Sequence, residues 1–225
     1  MRKAVLTYIM GENDNLLEPI CDTTDWDLVC FTNRKDIKSN RWNVIFVEDK
    51  EERFNNKRFA NVFKFSPFES IFKALEVNYD ICITMDANVR VSKDLDSIIS
   101  YYCHPLYDIT LAKHPIRDCV IAEAEAIIGE KKDTKEAVSQ NIKLYQKENY
   151  PLNNGMYQTT IMIWKNTQGT HALSLRFWEL YNNLSERDQL LLPYILWKYP
   201  EVDVIETEWT DFIEEFDYEK HETEK

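Results

Sequence analysis

Asp86 and Asn88 stand two residues apart, directly after the apolar residues 81–85. This run has no polar alternation, a pattern typical of a central strand in a sheet that is covered on both faces. Ligands of open α/β sheets bind just beyond the carboxyl ends of such strands. An acid and an amide with this spacing can hold a hard divalent cation against a diphosphate. Because Asp and Asn also favour turns, a simple strand-ending turn is the alternative interpretation.

Two cations, Arg58 and Lys64, precede this strand in a segment of mixed basic and aromatic residues. We predict that residues 55–69 are helical, with Pro67 near the end of the helix. We expect both cations to bind the diphosphate and not to support the fold. The alternative is that they belong to a solvated helix face.

The first strand, predicted at residues 4–9, runs into Gly11 and a loop of acids and amides. Nucleotides commonly meet an α/β sheet at such an edge, so Thr7 and Tyr8 are candidates for contacts to a base or ribose. Further strands are predicted at residues 28–32 and 42–47.

The middle of the chain adds elements that end at the same edge. We predict a helix over residues 92–102, capped by Ser92, and a strand over 109–112 whose end carries His114 and Arg117 towards the site. Residues 122–146 are rich in helix formers and are interrupted near Gly129. This pattern indicates a helical lid or a helical insertion on the acceptor side of the site.

The last third of the chain contains a turn at Asn154 and Gly155, followed by a strand predicted over residues 159–164. Ser185 precedes an apolar run and is predicted to cap a helix. This placement puts Asp188 and Gln189 in the first helical turn, near the positive end of the helix dipole.

Composition limits the classes of function. A net charge of −12 argues against nucleic-acid binding, which requires clustered Lys and Arg, so an anionic partner must be received by local basic residues. The five cysteines show no CxxC pair, which favours reduced thiols and a cytoplasmic location. The amino terminus reads as a strand and not as a signal peptide, and no apolar window is long enough for a transmembrane segment.

Taken in order, these residues resemble the glycosyltransferase-like domain shared by plant mucilage-related proteins and bacterial or viral sugar transferases. The resemblance covers roughly residues 4–198 and rests on the ordered set Thr7-Tyr8 with Gly11, Cys30-Phe31-Thr32-Asn33, Arg58 with Lys64, Met85-Asp86-Ala87-Asn88, His114-Pro115 with Arg117 and Glu123-Ala124, Asn154-Gly155, and Ser185 with Arg187-Asp188-Gln189.

The resemblance implies an α/β protein of GT-A fold with a mostly parallel central sheet flanked by helices. It implies one domain over residues 1–216, and we expect the acidic residues 217–225 to fray. The donor would be a nucleoside-diphosphate sugar, UDP- or GDP-linked, the acceptor a glycan or another hydroxyl compound, and the cofactor Mn²⁺ or Mg²⁺. The chain has Asp86-Ala87-Asn88 where the wider superfamily has Asp-x-Asp, and an amide oxygen is a weaker, neutral metal ligand.

The same resemblance assigns roles to residues. Asp188 or Glu123 would be the catalytic carboxylate, acting as a base or as a charge stabiliser. Asp86 and Asn88 would bind the metal. Contacts to the donor are expected from Thr7, Tyr8, Asn33, Arg58, Lys64, Asp86, Ala87, Asn88 and Gln189, and contacts to the acceptor or the diphosphate from His114, Arg117, Asn154 and Gly155.

Two other classes of function are weighed against a transferase. A phosphatase of the haloacid dehalogenase type needs a second acid two residues after the first, and Asn88 cannot donate that proton. A non-catalytic module that binds a sugar nucleotide or a glycan would keep the fold without the chemistry. For the protein itself we expect a cytoplasmic location, with or without peripheral attachment to a membrane.

Overall fold

A computed structural model of the 225-residue chain describes residues 1–12, 14–50 and 54–219. The main sheet contains the strands β1 Lys3–Ile9, β2 Asp27–Thr32, β3 Asn43–Phe46, β4 Ile81–Asp86, β6 Ile109–Lys113, β7 Tyr157–Lys165 and β8 Val204–Glu208, and a small second sheet pairs β5 Val89–Arg90 with β9 Asp217–Tyr218. The helices are α1 Asn56–Phe65, α2 Pro67–Leu75, α3 Leu95–Tyr102, α4 Val120–Gly129, α5 Lys135–Lys147, α6 Gln168–Tyr181, α7 Asp188–Lys198 and α8 Trp209–Ile213.

The main sheet has the order β3-β2-β1-β4-β7-β6-β8. Only β7 runs against its neighbours, since β4 and β6 both pair with it antiparallel and the other neighbouring pairs are parallel. The prediction of an α/β protein with a mostly parallel central sheet is confirmed. Because β7 is reversed, its first residues reach the edge at which β1, β4 and β6 end.

The sheet is covered on both faces, as the apolar run before Asp86 predicts. Side chains of β1 alternate between two cores, with Leu6 and Tyr8 in one and Val5 and Ile9 in the other. All the residues of β4 before Asp86 are buried. Burial of both faces gives this strand its continuous apolar character and leaves only its end for polar chemistry.

The segment predicted as one helix over residues 55–69 is two helices. The side chain of Asn55 caps α1 by accepting a hydrogen bond of 2.9 Å from the backbone N–H of Arg58. Pro67 is the first residue of α2 instead of lying near the end of a helix. Proline suits a first helical position because that position has no intrahelical partner for an N–H.

Two predicted helix caps are also wrong by a few residues. The cap of α3 is Asp94, whose side chain accepts a hydrogen bond of 2.8 Å from the N–H of Ser97, and Ser92 lies outside the helix. Ser185 does not cap α7, which begins at Asp188. Its hydroxyl donates to Asp133 at 2.6 Å, and its oxygen accepts from the N–H of Arg187, the residue that precedes the helix, at 3.1 Å.

The carboxyl terminus contributes to the fold beyond residue 216. Asp217 and Tyr218 form β9, and the N–H of Glu219 donates to the carbonyl of Asn88 at 2.9 Å. The expectation that fraying starts at residue 217 is therefore wrong for 217–219, because backbone pairing holds them against the turn after β4. Residues 220–225 lie outside the described part of the chain.

Within the described ranges, none of the helices combines the length and the apolar character needed to cross a bilayer.

Candidate active site

A cleft of about 1070 Å³ opens at the edge where β1, β4 and β6 end and β7 begins. Its walls come from eight parts of the chain, among them Glu130 and Lys132 between α4 and α5 and Tyr218 of β9. They include Tyr8 of β1, Asp86 and Asn88 at the end of β4, Lys57, Asn61 and Lys64 of α1, His114 to Arg117 after β6, Gln158 to Thr160 of β7, and Arg187 to Gln189 at the start of α7.

Sheet register places Tyr8 beside Asp86. The two residues are paired neighbours on β1 and β4, and the Tyr8 hydroxyl donates a hydrogen bond to Oδ1 of Asp86. Burial and the charge of Asp86 raise the pKa of Tyr8 well above its ordinary value, so the phenol stays protonated and remains a donor. The Tyr8 hydroxyl therefore helps to fix the direction of the Asp86 carboxylate.

Lys64 joins the two carboxylates of the cleft. Its ammonium lies 2.9 Å from Oδ2 of Asp188 and 3.3 Å from Oδ1 of Asp86, and it donates to Oγ1 of Thr159 at 3.1 Å. An ammonium has three N–H donors, so these contacts use all of them. Burial alone would lower the pKa of Lys64, but Asp188 and Asp86 outweigh it and raise the pKa, so the charge is permanent at neutral pH.

Asp188 is only 6% exposed and accepts a hydrogen bond of 2.8 Å from Oγ1 of Thr159 in addition to its contact with Lys64. Burial would raise the pKa of its carboxyl, but the charges of Lys64 and Arg187 hold that pKa well below its usual range. A carboxylate stabilised in this way is a weak proton acceptor near pH 7. The geometry therefore suits a fixed negative charge better than a general base.

Lys57 lies on the same face of α1 as Lys64, seven residues earlier, and both line the cleft. Seven residues are close to two full helical turns, whereas Arg58 is six residues from Lys64 and points elsewhere. Burial and the charge of Arg187 lower the pKa of Lys57 to about 8. Nζ of Lys57 and Nε of Arg187 are buried, and neither has a hydrogen-bond partner among the described residues.

Arg58 does not line the cleft. Its guanidinium donates to the carbonyls of Tyr181 at 2.7 Å and Leu184 at 3.0 Å, and pairs with Glu186 at 3.1 Å. These contacts tie α1 to the segment between α6 and α7. They give Arg58 a part in the fold, contrary to our expectation from the sequence.

His114 and Arg117 lie on the wall formed by the loop after β6. Nδ1 of His114 accepts hydrogen bonds from the backbone N–H groups of Ile116 at 3.2 Å and Arg117 at 3.0 Å, which orders this loop. Burial and the charge of Arg117 lower the pKa of His114, so its imidazole is neutral at pH 7. Glu123 is buried behind this wall, with Oε2 2.5 Å from Nε of Arg117, and does not line the cleft.

The turn after β4 offers oxygen ligands. Asn88 donates through Nδ2 to the carbonyl of Glu219 at 3.0 Å, while its Oδ1 is buried and has no hydrogen-bond partner among the described residues. Ala87 is buried between the two polar residues. Within the described ranges no group of three or more His, Cys, Asp or Glu side chains could hold a metal ion. Asp86 and Asn88 fit Mg²⁺ or Mn²⁺ if substrate phosphates supply further ligands, as these cations commonly require.

The other predicted contact residues lie outside this cleft. Thr7 is buried in β1, and its Oγ1 has no hydrogen-bond partner among the described residues. Asn33 lies in a separate cavity of about 360 Å³, where its Oδ1 accepts from the N–H of Gly11 at 3.0 Å. Asn154 and Gly155 are in the loop before β7, and Gly155 has a φ of +85°, which favours glycine.

The cleft has a local charge opposite to that of the protein. Five of its residues are cations and three are carboxylates, in a chain with a net charge of −12. The cations are Lys57, Lys64, Arg117, Lys132 and Arg187, and the carboxylates are Asp86, Glu130 and Asp188. Such a cleft favours an anionic ligand, because low-dielectric walls strengthen the field of the cations that line it.

Sequence reasoning missed several residues of the cleft, above all Lys57, Arg187 and Thr159. Helical spacing from Lys64 is a signal that could have found Lys57. Thr159 was included in a predicted strand, but only the antiparallel direction of β7 puts it at the functional edge. Arg187 belongs to the ordered set of motifs, beside Asp188, but no role in binding was predicted for it.

The sequence profile of the family described as "TOD1/MUCI70, glycosyltransferase-like domain" matches residues 23–215. This match spans most of the chain. The chain belongs to the TOD1/MUCI70 glycosyltransferase-like family. The family resemblance proposed from the ordered motifs is thereby confirmed. No curated protein sequence matches the chain.

Solved structures resemble this TOD1/MUCI70 domain in fold. The apo form of mouse xyloside xylosyltransferase 1 has a TM-score of 0.52 at 8% identity, covering 98% of this chain and 96% of the mouse chain. The apo bifunctional glycosyltransferase WbbM has a TM-score of 0.50 at 11% identity, covering 91% of this chain and 38% of WbbM. These likenesses confirm the predicted GT-A fold.

Proposed function

We propose that this protein transfers a sugar from a nucleoside-diphosphate sugar, UDP- or GDP-linked, to a hydroxyl group of a glycan or another acceptor. The observation that carries the proposal is the Asp86–Lys64–Asp188 network in a cleft with more cations than carboxylates. The family and the fold are consistent with it.

The chemistry of the transfer matches the charges of the cleft. As the sugar leaves, the nucleoside diphosphate gains negative charge and the reacting carbon of the sugar gains positive charge. Preorganised cations stabilise the first charge without reorganising at the moment of reaction. We assign Asp188 to the second charge, as a fixed carboxylate, because its low pKa keeps it ionised.

Asp86 and Oδ1 of Asn88 would hold Mn²⁺ or Mg²⁺ together with oxygens of the donor diphosphate. The unpartnered Asn88 oxygen supports this assignment. When bound, such a cation neutralises charge on the departing diphosphate. Tyr8 would keep the Asp86 carboxylate in position through its hydrogen bond, and Lys64 would fix the spacing between Asp86 and Asp188.

We place the acceptor on the side of the loop after β6 and of the segment between α4 and α5. His114 and Arg117 belong to the first, and Glu130 and Lys132 to the second. Gln189, whose Nε2 donates to Oε1 of Gln158 at 2.8 Å, would contact the donor sugar beside Asp188.

A non-catalytic module that binds a sugar nucleotide or a glycan is the second candidate. It is favoured by one observation, namely that Asp188 and Glu123, the two carboxylates considered as bases, are both paired with cations.

Incubation with a panel of UDP- and GDP-sugars and Mn²⁺, followed by measurement of slow donor hydrolysis, separates the two candidates. A transferase hydrolyses at least one donor, and the Asp188→Asn variant does so more slowly. Binding of a donor without hydrolysis by the wild-type protein, with and without a mixture of glycan acceptors, identifies the binding module.

A further inference from the structure

Two cations of the cleft differ from the other three in their surroundings. Lys64 contacts two carboxylates, Arg117 pairs with Glu123 at 2.5 Å, and Lys132 pairs with Glu130 at 2.5 Å. In the part of the chain that the structure describes, Nζ of Lys57 and Nε of Arg187 have no hydrogen-bond partner although both atoms are buried. Burying a charged group without a hydrogen-bond partner is unfavourable. A ligand with acceptor atoms at these two positions would remove that cost.

The acids near Lys57 are occupied by other groups. The charges of Asp188, Glu186 and Asp133 all act on Lys57, with that of Arg187 opposing them. However, Asp188 contacts Lys64, Glu186 contacts Arg58, and Asp133 accepts from Ser185 and from the N–H of Glu186.

Lys64 cannot take the place of this pair. Its three donors point at Asp86, Asp188 and Thr159, so a phosphate could contact its ammonium only by displacing one of them. Lys57 and Arg187 lie on the wall of the same cleft and have donors to offer.

We propose that Lys57 and Arg187 form an anion-binding pair that holds a phosphate of the nucleoside diphosphate directly. The inference rests on the proposed function for the identity of the ligand. Arg187 contributes a planar guanidinium and Lys57 a compact ammonium, and both types of group form strong charge-assisted hydrogen bonds to phosphate oxygens. A bound phosphate supplies the acceptors that both buried nitrogens lack.

The carboxylate of a uronic acid sugar offers this pair the same chemistry, because it also presents oxygens with negative charge. The diphosphate is favoured because its two linked phosphates each carry a negative charge, which matches two neighbouring cations better than the single charge of a carboxylate. Comparing inorganic diphosphate with glucuronate as probes separates these two sources.

The test is titration calorimetry at pH 7 with inorganic diphosphate, in EDTA and again with Mg²⁺. The variants Lys57→Met and Arg187→Gln are compared with Lys73→Met, which removes an exposed cation of α2. Each of the first two is expected to weaken diphosphate binding about tenfold or more, the range for a lost bond to a charged group. Lys73→Met is expected to bind like the wild type, and Lys57→Arg to retain most of the affinity because it keeps the charge.

Three outcomes overturn the proposal. These are unchanged diphosphate affinity in Lys57→Met and Arg187→Gln, absence of diphosphate binding by the wild type in both conditions, and binding of glucuronate but not diphosphate. Thermal unfolding of each variant verifies that it is folded. If Lys57→Met does not fold, Lys57→Arg and Arg187→Gln test the pair. Donor hydrolysis is measured separately from diphosphate binding. If Lys57 and Arg187 bind diphosphate but no donor is hydrolysed, the proposed transferase activity is contradicted and the proposed anion-binding pair is not.

Discussion

The ammonium of Lys64 lies 2.9 Å from Oδ2 of Asp188, and both side chains are almost fully buried. A buried ion pair of this kind is costly to break, because removal of one partner leaves the other charge without compensation. The pair also fixes the position of α7 relative to α1, since each residue belongs to one of these helices. The contact therefore links the stability of the fold to the geometry of the cleft.

We predict that Lys64→Met lowers the free energy of unfolding by about 3 kcal/mol, the low end of the range for breaking a buried pair. Urea unfolding followed by circular dichroism measures the change. The control, Lys73→Met, should stay within about 0.5 kcal/mol of the wild type because its side chain is exposed. Equal stabilities of Lys64→Met and Lys73→Met would contradict the structural role of Lys64.

Asp188→Asn should reduce turnover more than donor binding. The amide keeps the shape and the hydrogen bond from Thr159 but removes the fixed charge, so kcat should fall by about 10²-fold or more. Donor Kd from titration and single-turnover rates on one preparation test this. If Asp188→Asn turns over normally while Glu123→Gln is inactive, the catalytic carboxylate is Glu123.

The pH dependence of stability should also report on Asp188. Its pKa is lower in the folded protein than the 3.8 of a free side chain, so its ion pairs contribute stability above pH 4. That contribution is lost as the pH falls further, towards the folded pKa. The difference in unfolding free energy between the wild type and Asp188→Asn should therefore be largest above pH 5 and shrink towards pH 2. A difference that is constant across this range contradicts the assignment.

Divalent metal and a nucleoside diphosphate together should raise the melting temperature more than either alone, because the cation bridges Asp86 and the phosphates. Differential scanning fluorimetry with UDP or GDP and Mn²⁺ measures this effect. Asp86→Asn and Asn88→Ala should reduce the cooperative part of the shift. Tight diphosphate binding that EDTA leaves unchanged would show that the metal assignment is wrong.

Lys57 and Arg58 are sequence neighbours whose substitutions should have opposite effects on stability. Lys57→Met should stabilise the protein by about 1 kcal/mol at pH 7, because it removes a buried cation without a partner. The folded pKa of Lys57 is about 8 and the ordinary value 10.5, so this gain is full below pH 8 and disappears towards pH 10.5. Arg58→Met should destabilise, since it removes contacts to Tyr181, Leu184 and Glu186. Urea unfolding of both variants at pH 7 and pH 10 decides the matter.

Local sequence determined the elements that carry the chemistry. The continuous apolar run before Asp86 predicted a strand buried on both faces, with its polar end at the sheet edge, and β4 is such a strand. The first strand, the strand that ends before His114 and the helix with Asp188 in its first turn were predicted from the same kind of pattern. Errors at Ser92, Pro67 and Ser185 concern the ends of helices, where neighbouring polar residues compete for the same backbone groups.

Only the tertiary structure decided which cations are paired within the protein and which keep nitrogens without a partner among the described residues. Arg58 and Lys64 were chosen from the sequence, yet their donors are taken by carbonyls and carboxylates from distant parts of the chain. Lys57 and Arg187 keep unpartnered nitrogens because the packing of α1 against the start of α7 brings two cations together and leaves their neighbouring acids occupied. The sequence specifies which side chains are cations and which are carboxylates. Which of them pair depends on distances between helices and strands that are far apart in the chain and come together only when the sheet forms.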